Sequence, residues 1–305
     1  MNNTMTISDG IKKSIVKDYE NKLFKMYERI LIDKEKLFKD KEFQLVMFKQ
    51  RYDTKLNKWI NDTDENFDKY ALEGGFAGSY LYKEIEKKYN YIADVYKTLI
   101  VRDIVQRNKI QNIPLMDSIS DFLIDNIARL TSYRSVTDTL NTNKADTNDK
   151  TVGAYIKYLC ESYAFYKVRR YDIQGKKYLS TQDKYYLSDH AVKYAIQGTK
   201  NMNYGSIYEN IVAMELIRRG YEIYVGVLYK KEVDFVAMKR NEKIYIQVCD
   251  NIGNDFENKT FKREVDSLLK IKDAYPKILI ARTHHDMCLY EGIKVIYIKD
   301  WLMNS

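Results

Sequence analysis

The chain has 305 residues, of which 51 are lysine or arginine and 43 are aspartate or glutamate, so its formal net charge is +8. This length suggests two domains with connecting helices, and the 45% hydrophobic share indicates a globular protein. Acidic and basic residues are interspersed along most of the chain, so the net positive charge allows a polyanionic partner without requiring one. With only 2 prolines and 12 glycines, the chain leaves little room for long disordered linkers.

The cysteines and the N-terminal sequence indicate a compartment. Cys160, Cys249 and Cys288 have no paired C-x-x-C spacing, which argues against a disulfide framework or a zinc knuckle. The first residues contain no apolar signal region, and no window approaches the roughly 18 apolar residues of a membrane span. We therefore expect a cytoplasmic protein that does not enter a membrane.

The front of the chain is predicted to be helical. Residues 11–59 are charged throughout, with apolar residues at helical spacing, which predicts amphipathic helices in an N-terminal segment of residues 1–62. The glycine cluster of residues 74–78 is expected to end the following helix, and residues 80–105 return to a helical pattern.

Residues 63–200 are predicted to contain a winged helix-turn-helix. The patterns indicate helices at 114–130, 135–140 and 151–163, then a strand at 165–173 and a hairpin about residues 174–177. The third helix would be the reading helix and the hairpin its wing. The alternative is that this unit only packs against its neighbours.

Lysines and arginines beside tyrosines suit contact with phosphates, so double-stranded DNA is the expected partner of this unit. The candidate nucleic-acid-binding residues on the helix and wing are Lys150, Tyr155, Lys157, Lys167, Arg169, Arg170, Lys176 and Lys177.

Residues 201–305 are predicted to form an α/β domain with a mixed sheet. The expected helices span 206–219 and 259–274, and the expected strands span 221–227, 231–238, 243–249, 277–281 and 294–298. The whole chain is therefore predicted to be of the α+β or α/β class. Its helical N-terminal part would contain the winged helix-turn-helix, and this mixed-sheet domain would follow.

Two acidic residues stand out in that domain. Glu209 lies one turn before an apolar helical run, so its carboxylate can reach the seam between helix and sheet, and Asp234 interrupts an apolar strand. A carboxylate among strand-forming residues needs a partner, which could be a metal ion, a lysine or a water network.

The α-β-β-β-α-β order of this domain resembles the PD-(D/E)xK nuclease superfamily. The resemblance implies that Glu209 and Asp234 bind Mg²⁺, and that a Glu-x-Lys motif follows on the next strand. Gln247 and Cys249 occupy those two positions, so the site lacks one anionic ligand and its lysine. The catalytic candidates are Glu209, Asp234 and Gln247 if the site is active, with Lys231 or Lys243 as replacement lysines. An inert nuclease-like fold is the expected alternative.

A second resemblance extends from about Asp64 to the C-terminus. It involves the segments FDKYALEGGFAG, DVYKTLIVRDIVQRNKI, RRYDIQGKKYL, KYYLSDHAVKYAI, GSIYENIVAMELIRRGYEIYVG, EVDFVA and KIYIQV. These look like the DUF4143 region that forms the C-terminal part of a prokaryotic family of AAA-type ATPases. The resemblance implies that Gln247 is part of the family pattern and that an ATPase core precedes the region.

The sequence contains no G-x-x-x-x-G-K-[ST] loop, so we do not expect this chain to hydrolyse ATP by itself. Two expectations follow: the chain is a stand-alone C-terminal module with a new helical front end, or it is the product of a truncated gene. An ATPase partner acting in trans is left open. The segment Ile30 to Asp33 is only a faint match to a Walker B strand.

The histidines are expected to have minor roles. His190 is expected to be a structural hydrogen-bonding residue. His284 and His285, with Asp286 and Cys288 nearby, are expected to lie in a solvated loop rather than to share a metal ion.

Three functions remain open on the sequence. The first is a DNA-binding or regulatory protein with a degenerate nuclease-like domain, and the second is a metal-dependent nuclease. The third is a protein-interaction module, in which a homo-oligomer forms and the basic residues are merely solvated.

Overall fold

The computed structural model describes residues 64–303, with gaps at residues 201, 230 and 254–258. The chain divides into a unit of residues 1–50 and a unit of residues 51–305, and the described residues belong to the second. The amphipathic helices predicted for residues 1–62, and the segment Ile30 to Asp33, lie outside the described residues.

Helices dominate the first half of the described chain. A 3₁₀ turn at Ala77–Leu81 follows the first described helix, and the second continues directly into a π-helix at Ile100–Gln106. In chain order the α-helices are α1 Asp64–Glu73, α2 Ile85–Leu99, α3 Ile113–Asp125, α4 Tyr133–Thr142, α5 Asp149–Glu161, α6 Ala191–Gln197, α7 Tyr204–Arg218, α8 Lys259–Leu269 and α9 Ile298–Met303.

Side-chain caps fix where several helices begin. The Asn112, Asn148 and Asn203 side chains each accept a hydrogen bond from a backbone N–H in the first turn of α3, α5 and α7. Ser132 and Ser135 form a reciprocal capping box at the start of α4. Each cap satisfies N–H groups that have no partner within the helix, typically stabilising it by about 1 kcal/mol.

The described strands are β1 Phe165–Asp172, β2 Lys177–Leu187, β3 Glu222–Leu228, β4 Lys231–Lys239, β5 Glu242–Cys249, β6 Lys277–Ala281, β7 Cys288–Tyr290 and β8 Ile293–Tyr297. They form an eight-stranded mixed sheet with the order β2-β1-β3-β4-β5-β6-β8-β7. The pairs β1·β3, β5·β6 and β6·β8 are parallel, and the other neighbouring pairs are antiparallel. The mixed α/β fold with a mixed sheet is therefore confirmed.

This sheet runs across residue 200, where the sequence predicts a domain boundary. Strand β1 pairs in parallel with β3 through Arg170–Asp172 against Val225–Val227, so the β1–β2 hairpin is one end of the sheet. A short bridge between Thr131 and Asp183 ties the segment before α4 to the hairpin. The hairpin consequently belongs both to the helical region and to the sheet.

Both faces of the sheet are covered. Phe235 and Ile246 belong to the buried cluster that includes α7 and the helical region, whereas Val236 and Tyr245 belong to the cluster that includes Phe261 of α8. Successive strand residues point to opposite faces, which explains why neighbours in one strand join different cores.

Among the described residues, no helix is both long and apolar enough to span a membrane.

The glycine cluster ends α1 as predicted, and it does so around a buried aspartate. The Asp189 carboxylate accepts from the N–H of Gly75 at 2.8 Å and from the N–H of Ala191 at 2.9 Å. The neighbouring His190 is buried and donates from Nε2 to the Tyr70 carbonyl at 3.1 Å, and burial lowers its pKa. These contacts join α1 to the start of α6, a structural role for His190.

Candidate functional site

Three carboxylates converge on the ammonium of one buried lysine, Lys184. Its Nζ lies 2.8 Å from Glu209 Oε1, 2.6 Å from Glu232 Oε1 and 3.7 Å from Asp234 Oδ1. The Lys184 side chain is only 3% exposed, whereas Glu232 is 37% exposed and forms the solvent edge of the group. We call these four residues the Lys184 cluster.

Three elements bring this cluster together. Lys184 projects from the middle of β2, Glu209 from α7, and Glu232 and Asp234 from β4. The Tyr186 hydroxyl, also on β2, donates to Glu209 Oε1 at 2.7 Å. Glu209 therefore accepts from an ammonium and a phenol at the same oxygen, which holds its carboxylate at the seam between α7 and the sheet.

Asp234 lies where the β4–β5 ladder ends. The last paired residues are Phe235 and Ile246, and beyond them the Asp234 carboxylate replaces a backbone acceptor. Its Oδ2 accepts from the N–H of Val248 at 2.8 Å, and its own N–H donates to Gln247 Oε1 at 3.2 Å. The hydrogen-bonding needs of a carboxylate within an apolar strand are thus met by the neighbouring strand and by Lys184.

Gln247 is held towards α8. Its Nε2 donates to Glu264 Oε2 at 2.9 Å, and the Ser267 hydroxyl lies within 3.5 Å of its Oε1. The structure therefore brings Glu209 and Asp234 together through Lys184, and it joins Gln247 to Asp234 through the backbone N–H.

Burial sets the protonation of the cluster. It raises the pKa of Asp234 well above its ordinary value, and the neighbouring Glu209 raises it further. Burial also raises the pKa of Glu209, although the Lys184 ammonium opposes that shift. The carboxylates in turn raise the pKa of Lys184 despite its burial, so this lysine remains charged. The cluster has more acidic groups than bases, and Asp234 is the residue on which a proton is best retained.

The replacement lysines suggested by the sequence lie elsewhere. Lys231 forms an ion pair with Asp266. Lys243 lies over the rings of Tyr171, Tyr245 and Tyr275, at 5.0 to 5.3 Å from their centroids. The lysine beside the acidic residues is Lys184, from the preceding hairpin.

The donor set does not suit Mg²⁺ as it stands. Among residues 64–303, outside the gaps, no group of three or more His, Cys, Asp or Glu side chains is arranged to hold a metal ion. In the Lys184 cluster the carboxylate oxygens face an ammonium, which competes with any cation for the same position. At the loop before β7, His285 Nδ1 lies against the Asp286 carbonyl and the side chains are exposed or half-buried.

The candidate nucleic-acid-binding residues differ in whether their side chains are paired with another side chain. Lys157 pairs with Glu161 at 3.7 Å, Lys167 pairs with Asp183 at 2.8 Å, and Arg170 Nη1 donates to Gln182 at 3.4 Å. Tyr155 is half-buried beside Tyr158. Within the described part of the chain no ion pair involves four exposed candidates, namely Lys150, Arg169, Lys176 and Lys177.

Three of those four lie on the β1–β2 hairpin. Arg169 is on β1, Lys176 is in the turn with a φ of 50°, and Lys177 begins β2. Lys150 is in the first turn of α5, and Lys157 follows two turns later on the exposed side. The helix and the hairpin therefore both present cationic side chains to solvent.

Sequence reasoning missed Lys184, Glu232 and Tyr186. Lys184 is part of the segment KYYLSDH, in which it precedes an apolar strand run, and a lysine at the start of such a run is the available signal. Glu232 is two residues before Asp234, on the same side of an alternating strand. No sequence pattern places these residues against Glu209, because that contact depends on how the hairpin joins the sheet.

Comparisons with known proteins match this chain to uncharacterised relatives. Residues 64–203 match the family described as a domain of unknown function, DUF8612. An uncharacterized protein of Haemophilus influenzae is 35% identical over 240 residues, which cover 79% of this chain and 58% of that protein. The uncharacterized protein MJ1544 of Methanocaldococcus jannaschii is 26% identical over 270 residues, which cover 85% of this chain and 57% of that protein. No solved structure matches the chain.

This chain thus spans less than two thirds of the length of either relative. The predicted resemblance to the DUF4143 region of AAA-type ATPases is wrong, because the matching family is DUF8612 and neither relative is described as an ATPase. The segments that suggested it are short runs of helix and strand patterning, which recur in unrelated α/β chains. Without that resemblance, neither the family explanation of Gln247 nor the expected ATPase partner is supported.

Proposed function

We propose that this protein binds double-stranded DNA through the exposed side of α5 and the β1–β2 hairpin, and that the Lys184 cluster serves the fold rather than cleavage. One observation supports this most directly. Lys150, Arg169, Lys176 and Lys177 are exposed and, in the described part of the chain, form no ion pair. A surface cation without an acidic partner is free to neutralise a phosphate.

The order of elements supports a winged helix as the binding unit. Helices α3, α4 and α5 precede the hairpin, and the isolated bridge between Thr131 and Asp183 joins the segment before α4 to it. In winged helix-turn-helix proteins the third helix enters the major groove and the hairpin contacts the backbone. Here α5 buries Val152, Ile156 and Leu159, so its opposite side is left for a partner.

The sheet supports a nuclease-like fold that does not cut DNA. Helix α7, strands β3 to β5, helix α8 and strand β6 follow the order of PD-(D/E)xK nucleases, with Glu209 and Asp234 at the helix and strand positions. Lys184 neutralises part of their charge where such enzymes hold a metal ion. Such a domain would act as a rigid platform for the hairpin.

Fluorescence anisotropy of a labelled DNA duplex, titrated at several salt concentrations, tests the proposal. We expect binding that weakens as salt rises, with the logarithmic slope reduced by about 1 for each phosphate contact removed. The variants are Arg169→Glu and the double substitution Lys176→Glu with Lys177→Glu. Both should weaken binding.

The matched control is Lys69→Glu, an exposed lysine on α1 beside Asp68, which pairs with Arg282 after β6. This substitution makes the same charge change as Arg169→Glu, on a helix outside the proposed surface. If Lys69→Glu weakens binding as much as the hairpin variants do, the interaction depends on net charge alone and the proposed surface is wrong. Absence of binding at low salt would contradict DNA binding itself.

One observation favours a second function, Mg²⁺-dependent cleavage. Lys184 supplies a lysine beside Glu209 and Asp234, although it comes from a different strand than the sequence pattern requires. The test is nicking of supercoiled plasmid in Mg²⁺ or Mn²⁺ by the wild-type chain, Glu209→Gln and Asp234→Asn. Nicking by the wild type that both variants lose would support a nuclease over a binding protein.

A further inference from the structure

A groove lies where strands β1 and β3 diverge. The two strands pair only through Arg170–Asp172 and Val225–Val227, so their preceding residues are not joined to each other by ladder hydrogen bonds. The space between them has a volume of about 570 Å³, which is within the usual range of ligand pockets. Its lining includes Lys167, Arg169, Tyr178, Glu222 and Tyr224.

Tyrosines form the walls of this groove. Tyr178 is 58% exposed although it is a large aromatic residue, and its ring lies 5.0 Å from that of Tyr224 at an angle of 41°. Tyr224 in turn lies 6.1 Å from Tyr171. Tyr178 also lies 5.6 Å from Tyr171, so two rings on the protein side fix its orientation while more than half of it stays open to solvent.

The groove is cationic at one side. Arg169 lines the groove, is exposed and, in the described part of the chain, forms no ion pair. The Lys167 ammonium is already paired with Asp183. The groove's carboxylate, Glu222, accepts a hydrogen bond from the Tyr224 hydroxyl at 3.0 Å and keeps its negative charge. Arg169 is therefore the groove residue that can offer a cation to a phosphate.

Lys167 also connects this groove to α5. It lines a second cavity with Tyr133, Gly153 and Lys157, and Lys157 lies on the exposed side of α5. The groove is thus adjacent to the surface proposed above for duplex binding. A nucleic acid bound to α5 and the hairpin would have its neighbouring nucleotides close to Tyr178.

We propose that this groove binds an unpaired DNA strand, with a base stacked on Tyr178 and a backbone phosphate at Arg169. The inference rests on the proposed function and adds a preference for DNA in which a single strand adjoins a duplex. Exposed aromatic rings beside cations are how proteins bind single strands with little sequence preference. Bases within a duplex are covered by their neighbours, so only an unpaired base can offer its face to the ring.

The test compares two labelled oligonucleotides of equal length and charge, oligo-dT and an abasic strand, by fluorescence anisotropy. Tyr178→Ala should weaken oligo-dT binding by roughly 5- to 150-fold, the effect of removing one stacking partner, and leave the abasic strand unchanged. Tyr178→Phe retains the ring and should stay within about two-fold of wild type. Arg169→Gln should weaken both strands, because it removes a phosphate contact.

Equal binding of oligo-dT by wild type and Tyr178→Ala would overturn the proposal, as would equal wild-type affinities for oligo-dT and the abasic strand. Tighter binding of oligo-rU than of oligo-dT would overturn the choice of DNA. The same titration with duplex separates the two proposals. If duplex binding depends on the hairpin lysines but oligo-dT binds no better than the abasic strand, the groove proposal fails and the proposed function stands. If neither nucleic acid binds, both fail.

Discussion

Asn210 and Leu187 form two hydrogen bonds with each other in the interior. The Leu187 N–H donates to Asn210 Oδ1 at 2.7 Å, and Asn210 Nδ2 donates to the Leu187 carbonyl at 2.9 Å. Asn210 directly follows Glu209 on α7, and Leu187 ends the strand that contains Lys184. This pair of bonds therefore sets the register in which Lys184 and Glu209 meet.

Replacing Asn210 by alanine should destabilise the protein markedly. It leaves the Leu187 N–H and carbonyl buried without these partners, and each unsatisfied group typically costs about 1–3 kcal/mol. The measurement is the free energy of unfolding in urea followed by circular dichroism. Asn108→Ala is the control, because its side chain makes one bond to a helix carbonyl at the partly buried surface of the π-helix end. Equal losses in the two variants would contradict the role assigned to Asn210.

Removal of the Lys184 ammonium by Lys184→Met should cost about 3–5 kcal/mol in the free energy of unfolding. Breaking a buried ion pair on one side leaves uncompensated charge, here on Glu209, whose Oε1 lies 2.8 Å from the Lys184 ammonium. Lys270→Met is the matched control, because Lys270 pairs with Asp266 at an exposed surface and should contribute less than about 1 kcal/mol. A Lys184→Met protein as stable as wild type would show that the cluster does not hold the hairpin.

The pH dependence of stability should change in Asp234→Asn. Burial, with Glu209 as the second cause, raises the pKa of Asp234 in the folded state above its ordinary value of 3.8. Above pH 3.8 the unfolded chain releases the Asp234 proton, while the folded state still holds it. The free energy of unfolding therefore falls as pH rises towards the pKa of Asp234 in the folded state.

Asp234→Asn lacks this contribution, because an asparagine side chain does not titrate. The neighbouring groups Glu209, Glu232, Lys184 and Tyr186 are the same in both proteins. The free energy of unfolding of wild type, relative to that of Asp234→Asn, should therefore decrease between pH 4 and pH 8. The decrease starts at the low end because the ordinary pKa of an aspartate is near 3.8. Urea unfolding at both pH values measures it. Curves that stay parallel would contradict the raised pKa.

Gly74→Ala should be far more damaging than Gly198→Ala. Both glycines have a positive φ, 73° and 78°, so both substitutions introduce backbone strain of about 1–2 kcal/mol. At Gly74 a β-carbon would also collide with the Asp189 carboxylate and the Ala191 side chain, whereas nothing lies within 4 Å at Gly198. Thermal unfolding followed by circular dichroism should separate the two variants clearly, and equal melting temperatures would contradict the close approach of the Gly74 loop to Asp189.

Periodicity predicted most of the local structure. The strand expected at residues 165–173 is found at Phe165–Asp172, and the helix expected at 206–219 is found at Tyr204–Arg218. The short helices α6 and α9 were not predicted, because six or seven residues give too little periodic signal. The parallel pairing of β1 with β3 was not predicted either, since no local pattern specifies which strands become neighbours.

The candidate site was predictable only in part. Glu209 and Asp234 stand out because an acid in an apolar run requires a partner, and the structure does place both against one. The identity of that partner was not predictable, because Lys184 is more than twenty residues away in a hairpin assigned to a different domain. For the basic residues, the sequence identifies the cations. It does not show that Lys157 and Lys167 already have acidic partners.

The continuity of the sheet through β1 and β3 has a consequence for how this chain can be divided. Residues 64–203 match a family as a separate stretch of sequence, yet a polypeptide cut after residue 203 would lose Glu209, Asn210 and β3 together. Lys184 would then be a charged lysine without its acids, and β1 would present a bare strand edge to other molecules. Such a fragment should aggregate rather than fold, so the stretch that matches the family is only part of the unit that must fold together.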